Sequence, residues 1–199
     1  QQLDDDIANS QKYIDAHKAD ITSLKQQLQE ATTDMQRFDI GMKLFGGYKS
    51  FINDSAVAVL LQCRQLAVKM HRKDLEGECL SLIAFQCSTV GMYEESLNML
   101  KEVDCRSLTQ QQLPDYFTAC NHVYGELSFY TNIPSLSAAY RKKYNVYMDS
   151  LGNALDKTSY RYQFFLTRKY YGEKKFQDAL ASNSKWIKMV GEGSREFAV

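Results

Sequence analysis

Three histidines, five cysteines and a band of tyrosines carry whatever chemistry this chain can perform. His17, His71 and His122 have no Cys, His or carboxylate at a spacing that stands out for metal ligation. His71 lies among Lys69, Arg72 and Lys73, a poor setting for a cation. His122 follows Cys120 by two residues, which on a helix puts the two on different faces. A Cys/His nucleophile pair is therefore unsupported. Cys63, Cys79, Cys87, Cys105 and Cys120 are odd in number and contain no CxxC. They read as small apolar core residues, with one opportunistic disulfide left open for an oxidising compartment. GxSxG, HExxH, GxGxxG and P-loop patterns do not occur. Asp4-Asp5-Asp6 and Glu94-Glu95 sit at expected helix starts, where the backbone dipole favours negative charge. The expectation is no catalysis, no metal and no cofactor.

The tyrosines admit a binding role as well as a packing one. Ten of the 13 fall between Tyr116 and Tyr171. From Arg141 to Lys188 there are 11 Lys or Arg against 4 Asp or Glu, whereas residues 1–37 hold 4 basic and 7 acidic side chains. Tyrosine offers a flat apolar body with a polar tip, and Arg or Lys beside it attracts an acidic peptide, a carboxylate or a sugar acid. A groove lined by Tyr140, Arg141, Tyr144, Tyr147, Tyr162 and Arg168 is one reading. Tyrosines that fill interhelix layers beneath a solvated basic face are the other, and both stay open at the level of sequence. Stacking on nucleic acid is disfavoured, because Lys plus Arg and Asp plus Glu both number 24.

The elements that must position these residues are helical. The chain has 199 residues, 44% hydrophobic and 12% aromatic, with 2 prolines and 10 glycines. That is too apolar for disorder and too poor in turn residues for an all-β fold. No stretch of about 18 apolar residues could span a bilayer. The opening Gln1-Gln2-Leu3-Asp4 suggests a processed or cut N-terminus, and Gly191 to Val199 reads as a turn, a cap and the start of a further helix. Ile7, Ile14, Ile21, Leu28, Met35 and Met42 fall seven apart, and Ser10, His17, Leu24, Ala31, Phe38 and Phe45 fill the intervening position. This predicts a packing helix within residues 1–33, more readily against its own chain than as a coiled-coil homodimer. Thr32-Thr33-Asp34 suits a cap between a helix ending near Glu30 and one starting near Asp34. Gly46-Gly47 is expected to end that second helix, and Asn53-Asp54-Ser55 to cap the third.

The most specific local signal is a helix-hairpin turn. In Ala84-xx-Cys87-xxx-Gly91-Met92-Tyr93-Glu94-Glu95-Ser96, a helix ends at glycine, an aromatic follows two residues later and a small residue three beyond. That matches the turn of a tetratricopeptide (TPR) repeat, where the small residue allows close helix approach and the aromatic fills the gap. Leu166 to Leu180 gives a second copy with Gly172, Phe176 and Ala179, and Tyr48 to Leu60 a degraded third with Ala56. The spacing is irregular: Ala56 to Ser96 is 40 residues and Ser96 to Ala179 is 83, against about 34 in a regular array. The fold expected is all-α, a TPR-like right-handed superhelix in one domain, 1–199. Its antiparallel pairs are 34–47 with 54–70, 75–90 with 93–103, 114–130 with 135–155 and 159–172 with 174–190. An extra N-terminal helix covers the open end.

Several segments carry a resemblance: Leu3-Asp4 with Ile7, Lys18, Ile21, Leu24-Lys25 and Leu28, then Tyr48-Lys49-Ser50-Phe51 and Asp54-Ser55-Ala56. Gly91 to Glu95, Tyr147-Met148-Asp149-Ser150 and Glu192 to Glu196 continue it. Together they resemble the N-terminal TPR-like region of membrane-anchored transcriptional regulators of Bacteroides-type bacteria, over nearly the whole chain. The resemblance implies a periplasmic sensor or protein-interaction role, with the membrane reached only through a segment outside this chain. It transfers no catalytic residue. A TPR scaffold that binds a protein or peptide without signalling, in the cytoplasm, is the alternative.

Overall fold

Helix signals and structure agree closely along most of the chain. The computed structural model describes residues 10–190, so the expectations on Asp4-Asp5-Asp6, Ile7 and 191–199 lie outside the described residues. Among those described, nine α-helices form and no strand: α1 Ser10–Glu30, α2 Asp34–Tyr48, α3 Asn53–Lys69, α4 Lys73–Thr89, α5 Tyr93–Glu102, α6 Leu113–Tyr130, α7 Pro134–Ala154, α8 Tyr160–Gly172 and α9 Phe176–Val190. The protein is all-α with a TPR-like helical-repeat fold. It divides into two compact units, residues 1–144 and 145–199.

The cap before α2 forms as its residues suggest. The Thr33 hydroxyl accepts from the Gln36 backbone N–H at 3.1 Å, and the Gln36 side chain accepts from the Thr33 N–H at 3.2 Å. This reciprocal pair satisfies two of the donors that a helix start leaves open. Asp34 in the first turn pairs with Lys69 at the end of α3, 2.8 Å away. The Lys69 hydrogen bond holds the Asp34 carboxyl below the ordinary carboxylate range.

Three local expectations are corrected. Gly46-Gly47 does not end α2, which runs on to Tyr48. Gly47 is instead where α1 comes close, since a Cβ there would collide with Ile21. Asn53 is not a cap: Ile52 holds that position without a side-chain bond, and Asn53 Oδ1 is buried and without a hydrogen-bond partner. The eighth helix does end at Gly172, and the left-handed residue before α9 is Lys174, at φ 61°. Phe176 does not fill a gap between helices. It meets Tyr171 edge-on and is 54% exposed.

The left-handed Lys174 belongs to a recurring device. Gly91 adopts φ 82° after α4, and the Met92 N–H donates back to the Cys87 carbonyl at 3.0 Å. His71 at φ 57° and Lys174 at φ 61° repeat the geometry, with Arg72 donating to Ala67 at 3.0 Å and Lys175 to Tyr170 at 2.8 Å. Left-handed backbone strains a residue that carries a Cβ by roughly 1 kcal/mol. Lys174→Gly is therefore expected to stabilise by up to about 1 kcal/mol, offset in part by the freer unfolded chain. A thermal-unfolding midpoint that falls would contradict this.

Two buried clusters hold the first unit. Leu44, Phe45, Tyr48, Ala56, Leu60, Ile83 and Cys87 form one, with Ile21, Leu24 and Leu28 of α1 packed against it. The C-terminal half of the heptad stripe is thus satisfied within the chain, while Ile14 stays exposed. Phe38, Cys63, Ala67, Leu75 and Cys79 form the other. Ser96 is fully buried, and its hydroxyl donates to the Ala84 carbonyl at 2.8 Å, joining α5 to α4. The Ser137 hydroxyl donates to the Ser128 carbonyl at 2.7 Å and ties α7 to α6. In the second unit α8 and α9 pair over buried Phe165, Ala179, Ser182 and Trp186, and Phe164 lies 5.3 Å from Trp186.

One half-buried carboxyl makes the first unit pH-sensitive. Burial raises the Glu78 carboxyl above its ordinary value of 4.5, and Asp115 and Asp74 push the same way against a 2.9 Å bond from Gln112. A carboxyl raised in the folded state favours folding at low pH. That contribution is lost as pH rises through the folded value. Glu78→Gln keeps an oxygen for Gln112, so the variant is expected to unfold at higher temperature than the parent at pH 7. Near pH 4 the two should match. A lower midpoint at pH 7 would contradict the assignment.

Candidate binding surface

Most of the groups able to do covalent chemistry are buried. Cys63, Cys79, Cys87 and Cys120 are buried, as expected of core thiols, and Cys105 is exposed. Burial pushes the Cys63 thiol up to about 11 and the Cys79 thiol up as well, so neither is a thiolate at neutral pH. Ser88 and His122 do approach, with Oγ and Nδ1 2.9 Å apart. The Ser88 hydroxyl, however, donates to the Phe85 carbonyl at 2.8 Å, and the residue is 2% exposed. It serves as a link between α4 and α6, with the His122 ring edge-on to Phe85 at 5.1 Å. Among the described residues no three His, Cys, Asp or Glu side chains gather as a metal site.

The aromatic and basic residues of α6 and α7 are placed differently. The Tyr124 and Tyr140 rings stack with centroids 6.2 Å apart and planes 29° from parallel. The Lys143 ammonium lies 4.8 Å from the centre of the Tyr124 ring and donates to its hydroxyl at 3.3 Å. The Arg141 guanidinium lies 5.7 Å from the centre of Tyr144. Such contacts are worth about 0.5–1 kcal/mol each at exposed sites, enough to orient a side chain. Tyr144 also packs inward. A Cβ on Gly125 would sit 3.1 Å from its ring, and its carbonyl accepts from the Asn121 amide at 3.0 Å. The ring is half-buried, with α6 beneath it and a cation beside it.

Arg141, Lys142 and Lys143 are all exposed, and none of them forms an ion pair among the described residues. Three consecutive cations without an ion-pair partner among the described residues can hold a carboxylate, with the stacked tyrosines beside them offering apolar contact.

The six residues expected to line a groove fall in both units. Tyr140, Arg141 and Tyr144 belong to the first and form the surface just described. Tyr147, Tyr162 and Arg168 belong to the second. There Tyr147 is half-buried, Tyr162 stacks on Phe165 at 5.9 Å and Arg168 is exposed. Of the repeat-packing residues, Ala56, Ser96 and Ala179 are buried, and Gly91 makes its left-handed turn. Tyr93 is half-buried, with its hydroxyl 3.5 Å from a Glu126 carboxylate oxygen. Tyr124 and Lys143 were missed by sequence reasoning. Tyr124 stood out only as one tyrosine among ten, since its partners lie on another helix.

The chain matches no curated protein and no solved structure. One family model does match, described as the SusR N-terminal TPR domain, and it accounts for residues 7–199. With helix hairpins, small residues at their crossings and a match over nearly the full length, the chain belongs to the SusR N-terminal TPR domain family.

Proposed function

We infer that this chain is a non-catalytic sensing and interaction module, the extracytoplasmic part of a membrane-tethered transcriptional regulator, and that it binds an acidic protein or peptide segment. The observation that carries the binding half is the set of unpaired cations Arg141, Lys142 and Lys143 beside the Tyr124–Tyr140 stack. Family membership supports the regulator half, because the family is named for the N-terminal TPR domain of SusR, a Bacteroides-type regulator. No helix among the described residues is long and apolar enough to cross a membrane, so tethering rests on a segment elsewhere in the parent protein. Binding would act by favouring one curvature of a scaffold in which each hairpin touches mainly its neighbours.

Location can be tested through Cys105, the exposed thiol among the described residues. In intact cells with a permeabilised outer layer, a membrane-impermeant maleimide is expected to label the full-length protein at Cys105. The label should disappear in Cys105→Ser. Labelling that requires lysis of the inner membrane would overturn the extracytoplasmic assignment.

A further inference from the structure

Turns in the first unit alternate between two ends, and the two ends differ in chemistry. The ends of α2 and α4 and the start of α3 share one cluster, through Tyr48, Cys87 and Ala56. The starts of α2 and α4 and the end of α3 share the other, through Phe38, Leu75 and Ala67. Tyr93 reaches Glu126, which brings the C-terminal part of α6 to the same end as the α4–α5 turn. The α2–α3, α4–α5 and α6–α7 turns therefore lie at one end, and those before α2, α4 and α6 at the other.

At the second end the turns carry Thr32, Thr33, His71, Arg72, Asp104 and Arg106. This is ordinary turn chemistry. At the first end they carry Phe51, Ile52, Val90, Met92, Phe129 and Tyr130, all exposed, with Phe51 at 69% and Phe129 at 75%. Exposed apolar side chains scattered singly need no explanation, but aromatic and aliphatic pairs at three successive turns of one end mark an interaction surface. The N-terminal part of α1 reaches the same end. His17 lies 5.0 Å from Phe51, and a groove of about 600 Å³ opens between α1 and the α2–α3 turn.

Charge identifies what covers this strip. Lys18 and Lys25 line the groove, with no acidic residue beside them in its wall. Glu94 and Glu95, both exposed, follow the next turn along. Neither pair is engaged in an ion pair among the described residues. The strip is thus basic at one point and acidic at the next. An anionic bilayer would be repelled at Glu94-Glu95, and an acidic peptide would satisfy only the groove. A copy of the strip turned by a two-fold axis satisfies both: Phe51 and Ile52 meet Val90 and Met92, while Lys18 and Lys25 meet Glu94 and Glu95. We propose that the first unit forms a two-fold homodimer through this strip. The proposal stands apart from the α6–α7 surface and does not depend on what that surface holds.

Sedimentation of the 199-residue chain from about 1 to about 100 µM tests it by mass action. The parent chain is expected to show a monomer–dimer equilibrium. Phe51→Ser, and separately Lys18→Glu with Lys25→Glu, should each weaken it by at least about tenfold. These positions are exposed or half-open, so circular dichroism should stay that of the parent. Adding Glu94→Lys and Glu95→Lys to the lysine reversals should restore the dimer. A parent chain that stays monomeric at the top concentration would overturn the proposal. So would a dimer indifferent to the reversals, a folded fourfold variant that fails to recover, or vesicle binding without self-association.

Discussion

Ile83→Ala is expected to cost about 2–5 kcal/mol of folding stability, the range for truncating a large aliphatic side chain in a closed core. Ile83 is 1% exposed and belongs to the cluster that joins α2, α3 and α4. Removing its outer carbons leaves a void that three helices border, and none can move in without unseating its other contacts. A domain of this kind holds about 5–15 kcal/mol in total, so a large share of the first unit's stability is at stake. Denaturant unfolding followed by far-ultraviolet circular dichroism measures it. A loss under about 1 kcal/mol would mean that the three helices are not packed through one core.

Ser96→Leu should cost about 2–4 kcal/mol, by a different route. Overfilling a close helix crossing costs about 1–3 kcal/mol, and the hydrogen bond lost at the Ala84 carbonyl adds about 1 kcal/mol. Ser96→Ala removes the bond without adding bulk and should cost only about 1 kcal/mol. The gap between the two variants measures how tightly α4 and α5 approach. If both behave alike, the small residue is not required by the crossing and the repeat register fails.

Much of this fold was legible because its signals are local. Thr33 and Gln36 form a capping pair three residues apart, and Pro114 and Pro134 sit in helix first turns, so each start could be read without knowing the tertiary fold. Gly91 advertised a left-handed residue, and it has one. The failures arose where tertiary contact overrides local preference. Gly46-Gly47 looks like a stop, yet the close approach of Ile21 selects glycine at 47 inside a continuing helix. Lys174 gives no sign in the sequence of its left-handed backbone, which glycine would adopt without strain. Asn53 has the side chain of a cap but enters the helix one residue too late to serve as one.

The candidate binding surface was legible only in part, for the same reason. Tyr140, Arg141 and Tyr144 lie on one helix within five residues, so their spacing shows in the sequence. Tyr124 lies on α6 and meets Tyr140 only through the packing of α7 on α6, where the Ser137–Ser128 and Asn121–Tyr144 bonds also cross. Spacing along a helix also did not show where the unit boundary falls, which separates Tyr147 from Tyr144.

The central claim is that stacked helix hairpins here hold a partner by an aromatic and cationic surface. The most direct measurement is calorimetric titration of the 199-residue chain with acidic, neutral and basic peptides of matched length. The parent chain should bind an acidic peptide with affinity that falls as salt rises. Arg141→Glu with Lys143→Glu should weaken binding at least about tenfold while the helical circular-dichroism signal is kept. Binding that is indifferent to peptide charge, or equal in the parent and the reversed variant, would contradict the account.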